Sequence, residues 1–278
     1  MNNEKYVVTS SPHIKDKTSI NQIMWSVILA LVPAMIASIY FFQINAFLII
    51  LVSVGGCVLT EYLCQQARGK KPTIKDGSAV LTGVLLALIL PPTFPLWGVL
   101  IGSVVAIGLG KQVFGGLGYN PFNPALVGRA FLLAAYPVLT TTWTLDGSTT
   151  ATPLNLMKME GIRTGYWKLF IGNVGGCLGE TSAFALLIGA SYLIYKGYIH
   201  WRIPAGMIGS VLILTWLVGQ DHIFHLFAGG LILGAFYMAT DYVTTPVTKN
   251  GRWIFGIGAG LLVVIIRVWG GYPEGVMY

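Results

Sequence analysis

Residues 23–42, IMWSVILALVPAMIASIYFF, run for twenty positions without one charged side chain. A bilayer's hydrocarbon core takes about 20 helical residues to cross. Inside it every backbone amide and carbonyl must find a partner within the protein, which leaves only helices and closed barrels. The run is continuous rather than alternating, so it reads as a helix and not as a barrel strand. The same pattern recurs at 46–63, 77–92, 94–109, 124–138, 181–195, 203–218, 223–239 and 253–268. Residues 166–178, with Trp, Phe and several glycines, read as a tenth, half-buried helix. Charged residues make up only 10% of the chain, against roughly 25% in soluble domains. The predicted fold class is therefore an all-α integral membrane protein with nine to ten transmembrane helices.

The basic residues set an orientation. Lys5, Lys15 and Lys17 precede the first span; Arg68, Lys70, Lys71 and Lys75 follow the second. Lys111, then Lys196 and Arg202, then Lys249 and Arg252 fall in every second loop after that. Basic loops stay on the cytoplasmic side, so the amino terminus is expected inside and residues 139–165 outside. Lys158, Arg163, Lys168 and Arg267 fall on that outer side and run against the count. The net charge of +7 then belongs to loops. No basic run interleaved with aromatics points to nucleic acid. Cys57, Cys64 and Cys177 form no CxxC pair, so no metal site, neither zinc nor a four-thiolate iron–sulfur set, is expected from this chain alone.

VGGCVLTE at 54–61 is similar to VGGCLGE at 174–180, and each precedes a helix containing Ser-Ala, at 77–88 and 181–193. The pattern predicts two related halves with short helices meeting near the midplane, an inverted-repeat arrangement known in transporters. The chain then divides into a cytoplasmic amino-terminal segment (1–21), a first membrane repeat (22–138), an outer loop (139–165) and a second repeat (166–278).

Three sets of polar residues interrupt the apolar spans. GYNPFNPALVGRAF, 118–131, breaks the chain twice with proline, places Asn120 and Asn123 three apart, and carries Arg129 six residues into the next span. The paired amides offer donors and acceptors to a bound ring or ion. Asn123-Pro124 equally reads as an ordinary helix start with Asn as cap. Glu61, Glu180 and Asp241 are acids within or at the ends of spans, where an ionisable group either serves an ion path or pairs with a partner such as Arg129. Glu61 and Glu180 occupy matching places in the repeat. DGSTTATPL, 146–154, crowds four hydroxyls into one polar gap, more than a turn requires.

Together SPHIKDKTSINQIMWSVILALVPA, GYNPFNPALVGRAF, DGSTTATPL, GNVGGCLGETSA, FYMATDYVTTPVT and GYPEGVMY resemble the NqrB/RnfD family. Its members are membrane subunits of the Rnf electron-transport complex and of the sodium-pumping NADH:quinone reductase. The lack of a long amino-terminal extension fits the Rnf branch. The resemblance implies FMN attached through a phosphoester to a threonine by a separate flavin transferase. The attachment motif falls on Asp146, Thr149, Thr150, Ala151 and Thr152, with Thr152 the acceptor and Thr150 where glycine is usual. It implies a non-covalent riboflavin near Asn120 and Asn123, and a bundle similar to urea and ammonium channels. It also implies the other Rnf subunits as partners, a bacterial or archaeal cytoplasmic membrane, and an electron relay between ferredoxin and NAD coupled to Na⁺ or H⁺ movement. No glycine-rich dinucleotide fingerprint is present, so NAD is expected on a partner subunit. The residues alone also allow a different class, a small-solute channel or secondary transporter with no redox role, which would be colourless.

Overall fold

The computed structural model describes residues 18–145, 148–271 and 274–276. Among the described residues the regular structure is helical but for one short hairpin. Helix α1 (Ile20–Ala67) contains the first two predicted spans. Ser19 caps its start, its Oγ accepting from the Gln22 amide at 3.2 Å. Gln43 (φ 53°, ψ −136°) splits α1 within the predicted turn at 43–45. Each half is about 35 Å long at about 1.5 Å per residue, enough to cross a bilayer core of about 30 Å. Among the described residues, α1 and α12 (Lys249–Trp269) are the two helices that are long and apolar enough to cross a membrane. Large apolar side chains face outward from both: Ile36 is 62% exposed, Leu51 57% and Leu262 59%. Water would not tolerate so extended an apolar surface; lipid suits it.

Between these lie shorter helices: α2 (Ser78–Leu88), α3 (Leu96–Ile107), α4 (Pro124–Ala135), α5 (Pro137–Thr141). α2 ends inside the protein, with Leu88, Ile89 and Leu90 fully buried. A buried helix end needs partners for its last carbonyls. Residues 177–179 supply them. The Gly179 amide donates to the Leu88 carbonyl at 2.6 Å and the Leu178 amide to Leu90 at 3.0 Å. The Cys177 thiol donates to the Ile89 carbonyl at 3.0 Å.

That use of the backbone corrects the helix expected at 166–178. Only α7 (Tyr166–Ile171) is helical there. Gly172 ends it in a left-handed turn (φ 117°), packed on the backbone of Thr181 where a Cβ would collide. The following residues form no helix; their turn is held by the Glu180 amide on the Cys177 carbonyl at 3.1 Å, and residues 177–179 cap α2.

The outer loop also differs from expectation. It holds the hairpin β1 (Trp143–Leu145) and β2 (Ser148–Thr150), paired Trp143 to Thr150, followed by α6 (Pro153–Glu160). Then come α8 (Ala183–Tyr195), α9 (Arg202–Leu217), α10 (His222–Phe227) and α11 (Leu231–Leu233). The expected span 223–239 is thus broken. Gly229 turns left-handed (φ 70°) between α10 and α11, and 234–238 form a wide turn. Glycines set the close crossings. A Cβ on Gly256 would lie 2.6 Å from the Ile203 carbonyl oxygen, joining α12 to α9. One on Gly128 would lie 2.8 Å from the Gly102 carbonyl oxygen, joining α4 to α3. Small residues at crossings are how helices pack where lipid removes the hydrophobic drive.

Candidate functional site

Two buried polar centres lie at opposite ends of the bundle. The first is a half-open cavity with about 60 Å³ of free interior volume. It is walled by the starts of α1, α2 and α4, the ends of α3 and α8, and residues 236–243. Asn120, Asn123 and Asp241 all line it. Asn123 is the cap of α4, its Oδ1 accepting from the Ala125 amide at 3.0 Å, with Pro124 in the first turn. Its ordinary role as a helix start is therefore real, whatever else it does. Asn120 is different. Its Nδ2 donates to the Phe122 carbonyl at 3.0 Å, but its Oδ1 is buried with no partner among the described residues. A buried polar atom left unsatisfied is costly, so this acceptor is a fit for a donor on a bound molecule. Asp241 holds only long bonds, from the Val243 amide at 3.4 Å and the Thr244 hydroxyl at 3.5 Å.

Sequence reasoning placed Lys111 among the loop charges; the structure buries it to 1% exposure. α3 continues through a wide turn at 108–112 that brings Lys111 inward. Its ammonium donates to both oxygens of Glu61, at 2.9 and 2.8 Å, and to the Ser78 hydroxyl at 2.6 Å. Glu61 Oε1 also accepts from Gln65 at 3.0 Å and Gln112 at 3.1 Å. Glu61 is thus paired with Lys111 and not with Arg129. The signal was in the sequence, since Lys111 sits inside an apolar and glycine-rich stretch. The basic-loop count gave it another explanation.

The second centre surrounds the hydroxyl-rich loop. Asp146 lies outside the described residues, as does the side chain of Thr149. Thr152 is 2% exposed and is the N-cap of α6, its Oγ accepting from the Asn155 amide at 3.3 Å. An anionic group esterified there would sit against helix N–H groups, which favour negative charge. Ala151 precedes it, half-buried. Thr150 Oγ1 is buried without a partner among the described residues, and a Cβ on Gly175 would lie 2.6 Å from it. Gly175 therefore leaves the room that Thr150 takes where the family motif has glycine.

Arg129 and Glu180 belong to this end. Arg129 is 1% exposed; its Nη2 donates to the Thr140 carbonyl at 3.3 Å, while Nε and Nη1 have no partner. Glu180 Oε2 accepts from the Cys177 amide at 3.3 Å and Oε1 has no partner. The charges of Arg129, Glu180, Glu274 and Arg267 act on one another here. Among the described residues none of these four forms an ion pair within 4 Å. Sequence reasoning missed Arg267 and Glu274 as members. Arg267 is buried and binds the carbonyls of His225 at 2.6 Å and Ala228 at 3.0 Å, satisfying the broken end of α10. Arg267, like Lys111, is therefore no loop charge, and neither bears on the loop count.

These features define a helical protein with a lipid-suited surface and two buried polar centres joined by broken helices. The chain matches the model of the NQR2, RnfD, RnfE family over residues 7–278, and it belongs to that family. It is 50% identical, over 100% of its own length and 90% of the relative's, to the D subunit of the Na(+)-translocating ferredoxin:NAD(+) oxidoreductase complex of Acetobacterium woodii. It is 47% identical, over 98% and 89%, to the D subunit of the proton-translocating ferredoxin:NAD(+) oxidoreductase complex of Clostridium ljungdahlii. It is 38% identical, over 98% and 90%, to the D subunit of the ion-translocating oxidoreductase complex of Methanosarcina acetivorans.

Proposed function

We propose that this chain is the D subunit of an ion-translocating ferredoxin:NAD oxidoreductase of the Rnf type, active within a hetero-oligomeric complex in a bacterial or archaeal cytoplasmic membrane. The observation that carries this reading is the near full-length identity of 47–50% to two subunits so named.

In this reading the chain spans the membrane nine or ten times in two inverted repeats, with its amino terminus inside. The meeting of α2's buried end with residues 177–179 supports the repeat, since half-helices meeting at mid-depth are its structural mark. A flavin transferase esterifies FMN to Thr152 on the outer side. The capped helix start favours a phosphate at that oxygen. Because Thr152 is buried, the loop must open to be modified. Riboflavin occupies the inner cavity, where the free Oδ1 of Asn120 suits a ring N–H or a ribityl hydroxyl. Flavins exchange one or two electrons, and the protein sets their place and potential. The two sites would carry electrons from one face of the bundle to the other. Glu61, Glu180, Asp241 and Arg129 are the chain's contribution to the coupled ion path. Asp241 and Glu180 are freer than Glu61 to exchange a partner, because the bonds of Asp241 are long and Glu180 Oε1 has none among the described residues.

The test is covalent fluorescence. The purified chain should glow under ultraviolet light on a denaturing gel, and Thr152→Ala should be dark. A Thr152→Ala chain as bright as the parent would sink the attachment site. A parent chain with no flavin absorption would instead favour the solute channel.

A further inference from the structure

The inner cavity carries one charge of each sign among its described lining residues, Lys111 and Asp241. Lys111 is held far more tightly than Asp241. All three of its ammonium donors are committed, two to Glu61 and one to Ser78. Ser78 in turn donates to Asp76 Oδ1 at 2.6 Å, anchoring this wall to the turn before α2. Glu61 does not line the cavity; it stands behind Lys111 and draws two further amide donors from Gln65 and Gln112. The cavity therefore faces a cation whose counter-ion is on its far side. Such a dipole, buried in low dielectric, acts strongly on any charge inside the cavity.

We propose that Lys111, backed by Glu61, sets the reduction potential of the molecule bound in this cavity. The inference rests on the reading of the cavity as a flavin site. A flavin ring gains electron density on reduction, and a fixed positive charge beside it favours the reduced form. Lys111 is thus an electrostatic determinant of the inner site, beyond the two asparagines. By reciprocity, an occupant that gains negative charge weakens the hold of Lys111 on Glu61. The same pair would then link the electron count of the cavity to the charge state of an acid on the ion path.

The experiment uses the full-length chain in detergent carrying Thr152→Ala, so that no flavin at the attachment loop contributes. Riboflavin binding is followed by fluorescence quenching, and the midpoint potential of the bound riboflavin by reductive titration. Glu61→Gln/Lys111→Gln removes both charges, leaves no buried ion unpaired and keeps amides in the network. We expect reduced riboflavin to lose at least tenfold in affinity relative to oxidised riboflavin. For a two-electron couple that is a fall of about 30 mV. The exchanged pair Glu61→Lys/Lys111→Glu keeps an ion pair and reverses its direction, so it should lower the potential as well. It serves where the neutral pair does not fold. Lys111→Arg keeps the charge and should hold the potential near that of the parent. If the parent binds riboflavin and neither double variant shifts its potential, the role of Lys111 is overturned while the flavin site stands. Failure of the parent to bind riboflavin overturns both.

Discussion

Thr152 carries two demands on one oxygen. Its Oγ accepts the Asn155 amide as the cap of α6, and the proposed ester would use the same atom. Replacing a Ser or Thr cap by Ala costs about 1 kcal/mol. Thr152→Ala should therefore lose the covalent flavin and lower the thermal stability of the loop region. Thr152→Ser should keep the cap. It should also keep most of the gel fluorescence, because a hydroxyl remains at the same place. A dark Thr152→Ser chain with unchanged stability would show that the transferase reads the methyl group too. Thr150 illustrates what the sequence hides at this scale. In the motif it is a departure from glycine. In the structure it fills space left by Gly175, a residue twenty-five positions away that no local pattern connects to it. Lys111 is the stronger case. Position and type were plain, but its pairing with Glu61 depends on the wide turn at 108–112.

At the scale of elements, the break before α10 is held by Asp221. Its carboxylate caps the helix, accepting from the Ile223 and Phe224 amides at 3.1 Å each, and it also accepts from the Tyr166 hydroxyl of α7. Burial raises its proton affinity, but the hydrogen bonds from Tyr166 and Phe224 and the charge of Arg163 outweigh that. They hold the group below the ordinary carboxylate range. A depressed acid stabilises the fold above its unfolded value of about 4. That stabilisation is lost as pH falls through the folded value. Tyr166→Phe should therefore melt below the parent at neutral pH, with the gap shrinking between pH 5 and pH 3. A gap that is constant over this range would assign the effect to packing alone.

The α9–α12 crossing makes a second prediction at this scale. Gly256→Ala puts a Cβ 2.6 Å from the Ile203 carbonyl oxygen, and overpacking of this kind costs about 1–3 kcal/mol. The variant should melt lower in detergent than the parent, while Gly258→Ala, with open space around it, should not. The apolar runs made most of these elements readable from sequence. Their interruptions were not, because Gly172 and Gly229 break helices only where another segment takes up the freed backbone groups.

For the molecule as a whole, the proposal predicts coupling between electrons and ions through the inner end of the bundle. In vesicles holding the assembled complex, Asp241→Asn should cut ion accumulation at least tenfold while leaving the gel fluorescence at Thr152 intact. Undiminished accumulation would remove Asp241 from the ion path. Which ion moves is not set by overall likeness. Subunits named for Na⁺ and for protons are almost equally similar to this chain, at 50% and 47%. Carboxylates at membrane depth can serve either.

The sequence by itself determined the lipid-suited helical class, the position of the first turn at 43–45, the asparagine cap of α4 and the family. Each of these follows from local pattern: uninterrupted apolar runs, a capping residue before proline, and motifs in order. The tertiary structure decided where the charges sit. It paired Lys111 with Glu61, gathered Arg267 and Glu274 with Arg129 and Glu180, and ended the helix expected over 166–178 at Ile171, leaving residues 177–179 to cap α2. The physical reason is that a buried charge or an open helix end must be satisfied by whatever the fold brings beside it. In this chain Lys111 and Glu61 are 50 residues apart, and Cys177 and Ile89 are 88 apart.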